Sequence, residues 1–381
     1  MRFLTAGESH GPGVLALVDG VPAGLAIDVA AIDADLRRRQ LGYGRGGRQR
    51  IERDAVRITG GVRQGRTTGG PIALQIDNRD AVNWERVMSV VPVAEPPDAV
   101  TRLRPGHADL AGALKFGHED VRDVIERASA RETAARVAAG AVAKLLLKVV
   151  GTDVLSETKT IGTVTGRPTF DRDAIEASEV RTADTRAAAA MVDAISAARE
   201  AGDTLGGVVA LRATSVVPGL GSFAEWDRRL DGRIAQALMS IQSAKGIQFA
   251  DAFVASTERG STVHDPIAVR DGAFVRSRNR AGGLEGGVTN GEDVLVEIAF
   301  KPISTLMKPL PSADLRTGAP SPAHVERSDV CVIPAAGVVA EAMLAFVLAD
   351  ALCEKFGDDS VDDLCAAVER YRGRLRPIDR R

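Results

Sequence analysis

Two short stretches bring together the residue types that proton transfer and phosphate binding require. Gly7-Glu8-Ser9-His10-Gly11 holds a hydroxyl and an imidazole between glycines, and Arg104-Pro105-Gly106-His107 holds a guanidinium and a second imidazole on a Pro-Gly turn. An imidazole titrates near neutrality, so it can give or take a proton at physiological pH. Glycine-bounded turns let a ligand come close to backbone and side chain alike. Further on, Glu126-Arg-Ala-Ser-Ala-Arg-Glu132 places Arg127 and Arg131 four apart with Ser129 between them, a spacing that predicts a helix with both guanidiniums on one face. Two guanidiniums one turn apart near an imidazole suit a dianionic ligand. The competing reading is a solvated helix face whose arginines pair with Glu126 and Glu132.

A second basic cluster lies earlier, where Arg37, Arg38, Arg39, Arg45, Arg48 and Arg50 fall within fourteen residues around Leu41-Gly-Tyr-Gly-Arg-Gly-Gly47. Gly42, Gly44 and Gly47 satisfy a GxGxxG pattern, but the pattern follows a helix, whereas a dinucleotide-binding turn needs a strand before it. Two uses survive, an arginine-glycine arm for nucleic acid and a flexible basic lid over a small anion. One nearby aromatic, Tyr43, and 4% aromatics overall offer little for base stacking, so the lid is the better reading.

These groups need a scaffold. Met1–Ala6 and Val14–Val18 read as strands flanking the Ser9-His10 turn. Asp28–Gln40 reads as a helix capped by Asp28, with Ile32 and Leu36 inward. Short strands run from Ile51 to Ile76, followed by a long polar connection to Arg104. A helix from Glu119 to about Lys148 is apolar on one side through Val137, Ala141, Val142 and Leu145. Asp184–Ala201 is a further helix. Gly206-Gly-Val-Val-Ala-Leu211 and Val217-Pro-Gly-Leu220 echo Gly11-Pro-Gly-Val-Leu-Ala-Leu17 and Val21-Pro-Ala-Gly-Leu25. Each pair precedes an amphipathic helix, Glu225–Gln242 in the later copy, so the chain divides into similar halves of about 1–200 and 201–381 within one domain. Ser240–Gly246, Ala281–Gly291 and Lys301–Thr305 offer backbone amides and hydroxyls to a bulky anion. Arg327 and Asp329 sit on a loop before the apolar helix Val338–Leu352.

Composition sets outer limits. The 381 residues are 45% apolar and 26% charged, enough for a large core, and a net charge of −2 gives no general attraction to nucleic acid or membrane. Cys331, Cys353 and Cys365 lack metal or disulfide spacing and read as reduced thiols, with no metal site. No signal sequence is evident, and no stretch reaches roughly 18 uncharged apolar residues, so a cytoplasmic protein is expected.

GESHGPGV, RPGHAD, ERASARETAARVAAG, KPIST and RSDVCVIPAAGVVAE, in this order and spacing, resemble the motifs of the chorismate synthase family over essentially the whole chain. The resemblance implies an α+β fold, a β-α-β sandwich of two similar subdomains, assembled as a homotetramer. It implies an anti 1,4-elimination of phosphate and a ring hydrogen from 5-enolpyruvylshikimate 3-phosphate, giving chorismate at the end of the shikimate pathway. Reduced FMN is needed without net redox change, supplied by an external NAD(P)H-dependent flavin reductase. Carried over residue by residue, His10 faces the phosphate and His107 the flavin, while Asp329, assisted by Ser9, lies near flavin N5. Arg39, Arg45, Arg48, Arg104 and Arg131 fall to the substrate. Arg127, Ala128, Ser129, Gln242, Ser243, Gly286, Lys301, Pro302, Ile303, Ser304, Thr305 and Arg327 fall to FMN. His118, His264 and His324 match no catalytic position.

Overall fold

Strict alternation in the first twenty residues builds the first sheet. In β1 (Arg2–Ala6) and β2 (Gly13–Asp19), Val14, Ala16 and Val18 point inward and are buried while Leu15 and Leu17 face out, as the two-residue period of a strand requires. With β3 (Arg57–Gly60) and β4 (Ile72–Asp77) they form an antiparallel sheet of order β1-β2-β4-β3. A second antiparallel sheet contains β5 (Asp153–Ile161), β6 (Val164–Thr165), β7 (Gly207–Thr214), β8 (Ala244–Phe249) and β9 (Val294–Phe300), in the order β8-β9-β7-β5-β6. The computed structural model describes residues 1–47, 51–270, 272–326 and 328–375, so Arg48 and Arg327 lie outside the described residues.

Helices fill the space between the sheets. Among α1 (Val29–Gln40), α2 (Asp109–Phe116), α3 (Arg122–Ala128), α4 (Thr133–Val149), α5 (Thr185–Glu200), α6 (Leu230–Met239), α7 (Ile333–Phe356) and α8 (Val361–Leu375), the central pair is α4 and α7. They pack on each other, α4 against β2 and β4, and α7 against β5 and β7. Their closeness is set at Gly140, where an added Cβ would lie 2.3 Å from Ala342 Cβ and 2.6 Å from its carbonyl oxygen. The result is a sheet-helix-sheet sandwich with a continuous apolar core. α7 is long and apolar enough to cross a membrane, although Glu341 interrupts its uncharged run well short of 18 residues, and 94% of its apolar window is buried inside the chain. It also carries the fully buried Glu341, which Arg38 and Lys144 pair at 2.8 and 2.7 Å.

The two sheets share a layout. Strands β1, β2, β3 and β4 stand in the order β1-β2-β4-β3, and β5, β7, β8 and β9 in the order β5-β7-β9-β8, with α1 and α6 following β2 and β7. The turns match atom for atom. Thr67 Oγ1 accepts from Leu25 N and donates to Pro22 O, and Thr289 Oγ1 accepts from Leu220 N and donates to Val217 O. In chain order the changeover between sheets falls near Gly151, upstream of residue 200.

Several expected elements differ in extent. α6 starts at Leu230 rather than Glu225, because Leu230 N is tied to Gly287 O after a short 3-10 turn at Trp226–Arg228. α7 starts five residues early, since Pro334 fits a helix's first turn, where its missing N–H costs nothing. The single helix from Glu119 to Lys148 does not exist: the chain breaks at Ser129, whose ψ of 143° is extended. Ser129 Oγ accepts from Arg131 N, starting a new turn that leads into α4.

Candidate functional site

The break at Ser129 sends the two arginines in different directions, correcting the shared face expected of them. Arg127 reaches back to the carbonyls of Thr5 and Gly7 at 2.9 and 3.3 Å. Arg131 is buried and donates to Asn78 Oδ1 at 2.6 Å and to Asp54 at 2.6 Å. Asn78, at the end of β4, spends its amide group on the carbonyls of Glu8, Ser9 and Gly11 at 3.2, 3.1 and 2.7 Å. Arg131 thus fixes, through Asn78, the turn that carries Ser9 and His10. Ser129 Oγ closes the same corner on Ser9 Oγ at 3.0 Å.

His10 is held on three sides. Its backbone N–H donates to Glu126 Oε2 at 2.8 Å, its Nδ1 lies 2.9 Å from Glu126 Oε1, and its ring stacks on Trp84 with centroids 3.9 Å apart. Arg122 lies over the same Trp84 ring, 5.3 Å from its centroid, and bonds Glu126 at 3.2 Å. Burial pushes the Glu126 carboxyl up, but the His10 and Arg122 contacts outweigh it and hold it below the ordinary glutamate range. A carboxylate at Nδ1 fixes the ring and its tautomer, which places the exchangeable proton at Nε2.

His107 repeats this arrangement. Its Nδ1 is bonded to Asp109 Oδ1, and Arg104 grips the same carboxylate through its backbone N–H and Nε at 3.0 and 2.9 Å. Burial raises the Asp109 carboxyl, yet the His107 and Arg104 bonds carry it well below the usual carboxylate range. Arg104 Nη1 continues to Thr305 Oγ1 at 3.1 Å, and Lys301 Nζ donates to Gly106 O at 2.9 Å. The Pro-Gly turn therefore sits directly on the Lys301–Thr305 segment. Burial, then the neighbouring Lys245, lowers the Lys301 ammonium.

Among its described residues, the basic cluster is tied to other elements. Arg45 Nη1 pairs with Asp329 Oδ2 at 2.8 Å, Gly46 N donates to Asp329 Oδ1, and Val330 N donates to Gly44 O. Arg39 is buried against Asp54, Thr133 and the Ala130 carbonyl, and Arg38 turns away to Glu341. Gln242 donates to Glu132 Oε2 at 3.0 Å, beside Thr5 and Arg136, while Ser243, at a φ of 68°, passes its carbonyl to Lys301 N. Gly286 stands apart on its hairpin, with Phe223 as its neighbour.

A model of the chorismate synthase family matches residues 1–353. Chorismate synthases from Symbiobacterium thermophilum, Desulforudis audaxviator and Thermus thermophilus are 52%, 54% and 51% identical, covering 100%, 99% and 99% of this chain and 100%, 98% and 100% of their own. The chain belongs to the chorismate synthase family. A chorismate synthase crystal structure aligns with a TM-score of 0.79 at 38% identity over 98% of both chains, so the α+β sandwich is the family's fold.

The family motifs name the histidines but pass over the carboxylates that hold them. Asp109 closes the RPGHAD motif and Glu126 opens ERASARE, so both were in view. Ser129-Ala-Arg-Glu132 also carries the Ser-x-x-Glu signature of a helix start, the one local signal of the break. Asn78 and Asp54 fall in what reads as connection, and no local pattern marks them.

Proposed function

We propose that this chain catalyses the reaction of its family, elimination of phosphate from 5-enolpyruvylshikimate 3-phosphate to give chorismate with reduced FMN. The observation that carries the reading is the pair of imidazoles, each clamped at Nδ1 by a carboxylate that an arginine also holds, Arg122 on Glu126 and Arg104 on Asp109, while Arg131 and Arg39 share Asp54 and Arg45 pairs with Asp329. The arginines neutralise an anionic substrate, and those with carboxylate partners are already oriented for it. His10 Nε2 gives its proton to the departing phosphate oxygen. His107 holds the second acidic proton on the other side of the ring. The Asp329 carboxylate, held by Arg45 and Gly46, stands ready to take up the ring proton, with Ser9 beside Ser129.

Two buried polar atoms of the residues that the family resemblance assigns have no partner among the described residues: Arg45 Nε, a donor, and Gln242 Oε1, an acceptor. A planar molecule with both donors and acceptors on its edge would satisfy them, as flavin does. Arg127, Ala128, Ser129, Gln242, Ser243 and Lys301–Thr305 would hold FMN, with Arg327 and Gly286 assigned by family resemblance. Bound reduced FMN would supply an electron-rich ring that eases C–O cleavage and is regenerated; its initial reduction by an external NAD(P)H-dependent reductase and a cytoplasmic setting are proposed by family resemblance.

The homotetramer is supported by an apolar outer face on the first sheet, where Leu4 is paired with Leu17 and Leu15 with Ala6 and all three leucines are exposed. Duplication of one unit, with its boundary near Gly151, is supported by the matching strand orders and threonine-centred turns. Against an RNA-binding arm, Arg38, Arg39 and Arg45 are turned inward, with side chains at most 15% exposed. The deciding assay is anaerobic incubation with the phosphorylated substrate and chemically reduced FMN. Chorismate should form, and His10→Ala and His107→Ala should each slow it by about 10²-fold or more; phosphate release without any flavin would overturn the reading.

A further inference from the structure

The histidine clamps described so far are separate, His10 on Glu126 and His107 on Asp109. One side chain outside both bridges them. Glu326 Oε1 accepts from Arg122 Nη1 at 2.8 Å and lies 3.2 Å from His324 Nε2, and its Oε2 lies 3.7 Å from Arg104 Nη1. Arg122 is the cation on Glu126, and Arg104 is the cation on Asp109. The charges therefore alternate along one chain of contacts: His10, Glu126, Arg122, Glu326, Arg104, Asp109, His107. Trp84 packs Arg122 and His10 together at one end, and Lys301 on the Gly106 carbonyl flanks His107 at the other.

We propose that Glu326, acting through Arg122 and Arg104, is a positioning residue that couples the proton affinities of His10 and His107. The physical basis differs at the two ends. Arg122 Nη1 is shared between Glu326 and Glu126, so while Glu326 holds it Glu126 is neutralised incompletely and keeps the charge that favours imidazolium. Arg104 already bonds Asp109 fully and meets Glu326 only as an ion pair at 3.7 Å, so there the anion acts by offsetting the guanidinium's charge. Remove the Glu326 charge and Arg122 settles on Glu126 while the Arg104 charge goes unopposed, so both imidazoles lose protons more easily. The direct field of the lost anion acts with the same sign. Burial opposes ionisation of Glu326, but the His324 and Arg122 bonds hold its pKa down to about 2, so it is an anion throughout the working range. This role rests on the histidines being the acids of the proposed reaction, but its test does not.

The test is an NMR titration of the five histidine rings in the ligand-free protein. In Glu326→Gln, His10 and His107 should both lose proton affinity by about 3- to 10-fold. In Arg122→Gln the sign reverses at His10, which should gain affinity by a similar factor, because Glu126 loses its competing cation. Glu326→Asp, which keeps the charge, should restore most of the wild-type affinity at both rings. A merely structural Glu326 would not give paired shifts with that reversal. If Glu326→Gln moves neither ring or one alone, or if Arg122→Gln moves His10 downward, the coupling is refuted; Arg122→Gln carries the test alone should the Glu326 variant fail to fold. Paired shifts with an unchanged pH–rate profile would uphold the coupling and refute the histidines as the reaction's acids.

Discussion

Replacing Asp109 with Asn tests the His107 clamp at its most buried point. The side chain is shut off from solvent and accepts from Arg104 N, Arg104 Nε, Arg104 Nη2 and His107 Nδ1. Asparagine keeps the shape but turns one acceptor into an N–H₂ donor, so at least one donor now faces a donor. If the amide oxygen stays with Arg104, the NH₂ faces His107 Nδ1 and selects the tautomer with its proton on Nε2, the reverse of what the carboxylate imposes. By analogy with other carboxylate-held histidines, turnover should fall by about 10²- to 10⁴-fold. Removing one partner of a buried charge pair also costs about 3–5 kcal/mol. At about 2.1 cal/mol/K of unfolding entropy per residue, 381 residues turn that cost into a drop of roughly 4–6 °C in Tm. The sign with pH follows from the depressed Asp109 carboxyl: its stabilisation is present above the unfolded value near 4 and is lost as pH falls through the folded one. Wild type and variant should therefore differ fully at pH 7 and converge only in acid. Anaerobic turnover, corrected for folded fraction by calorimetry, decides it. Activity within threefold of wild type, in a variant that shows the Tm loss, would refute the clamp as catalytic and leave it structural.

Arg45→Ala should raise KM for the phosphorylated substrate about 10-fold or more, a loss of about 1.4 kcal/mol of binding, and leave oxidised FMN affinity nearly unchanged by fluorescence titration. Asp329→Asn should lower turnover by about 10²-fold and, because Arg45 loses its ionic partner, also raise KM; unchanged steady-state constants would make Asp329 a structural acid. Gly140→Val should destabilise by about 1–3 kcal/mol or prevent folding, since its first side-chain carbon already meets Ala342 backbone, and a denaturant midpoint equal to wild type would contradict the packing of α4 on α7.

Local pattern carried far in this chain where it depended on neighbours in sequence. Asp28 caps α1 as its position suggests, Val14, Ala16 and Val18 alternate inward, and Asp184 caps α5. It failed where a partner arrives from another element. Arg127 and Arg131 have helical spacing, but Ser129 finds better use for its hydroxyl on Ser9 and on the next turn, so tertiary contact overrides propensity. The turns that carry His10 and His107 were legible because glycines bound them. Asn78, Asp54 and Glu326 were not, because a buried carboxylate or amide is defined by what it meets, and Asn78 meets a turn 67 to 70 residues away.

The matching layouts of the two sheets bear on how an asymmetric reaction can be housed. In two identical subunits, every group on one edge would have to recur on the other, and a cleft along the two-fold axis would offer the same chemistry to both ends of its ligand. Here the edges belong to one chain and differ. Beyond β4 lies Asn78, which steadies the imidazole turn, and in the equivalent place beyond β9 lies Lys301, a cation resting on the other imidazole's turn. An elimination needs an acid where the leaving group departs and a base where the hydrogen is lost. Two sheets of like layout but unlike edge residues can offer different groups to the two ends of one ligand.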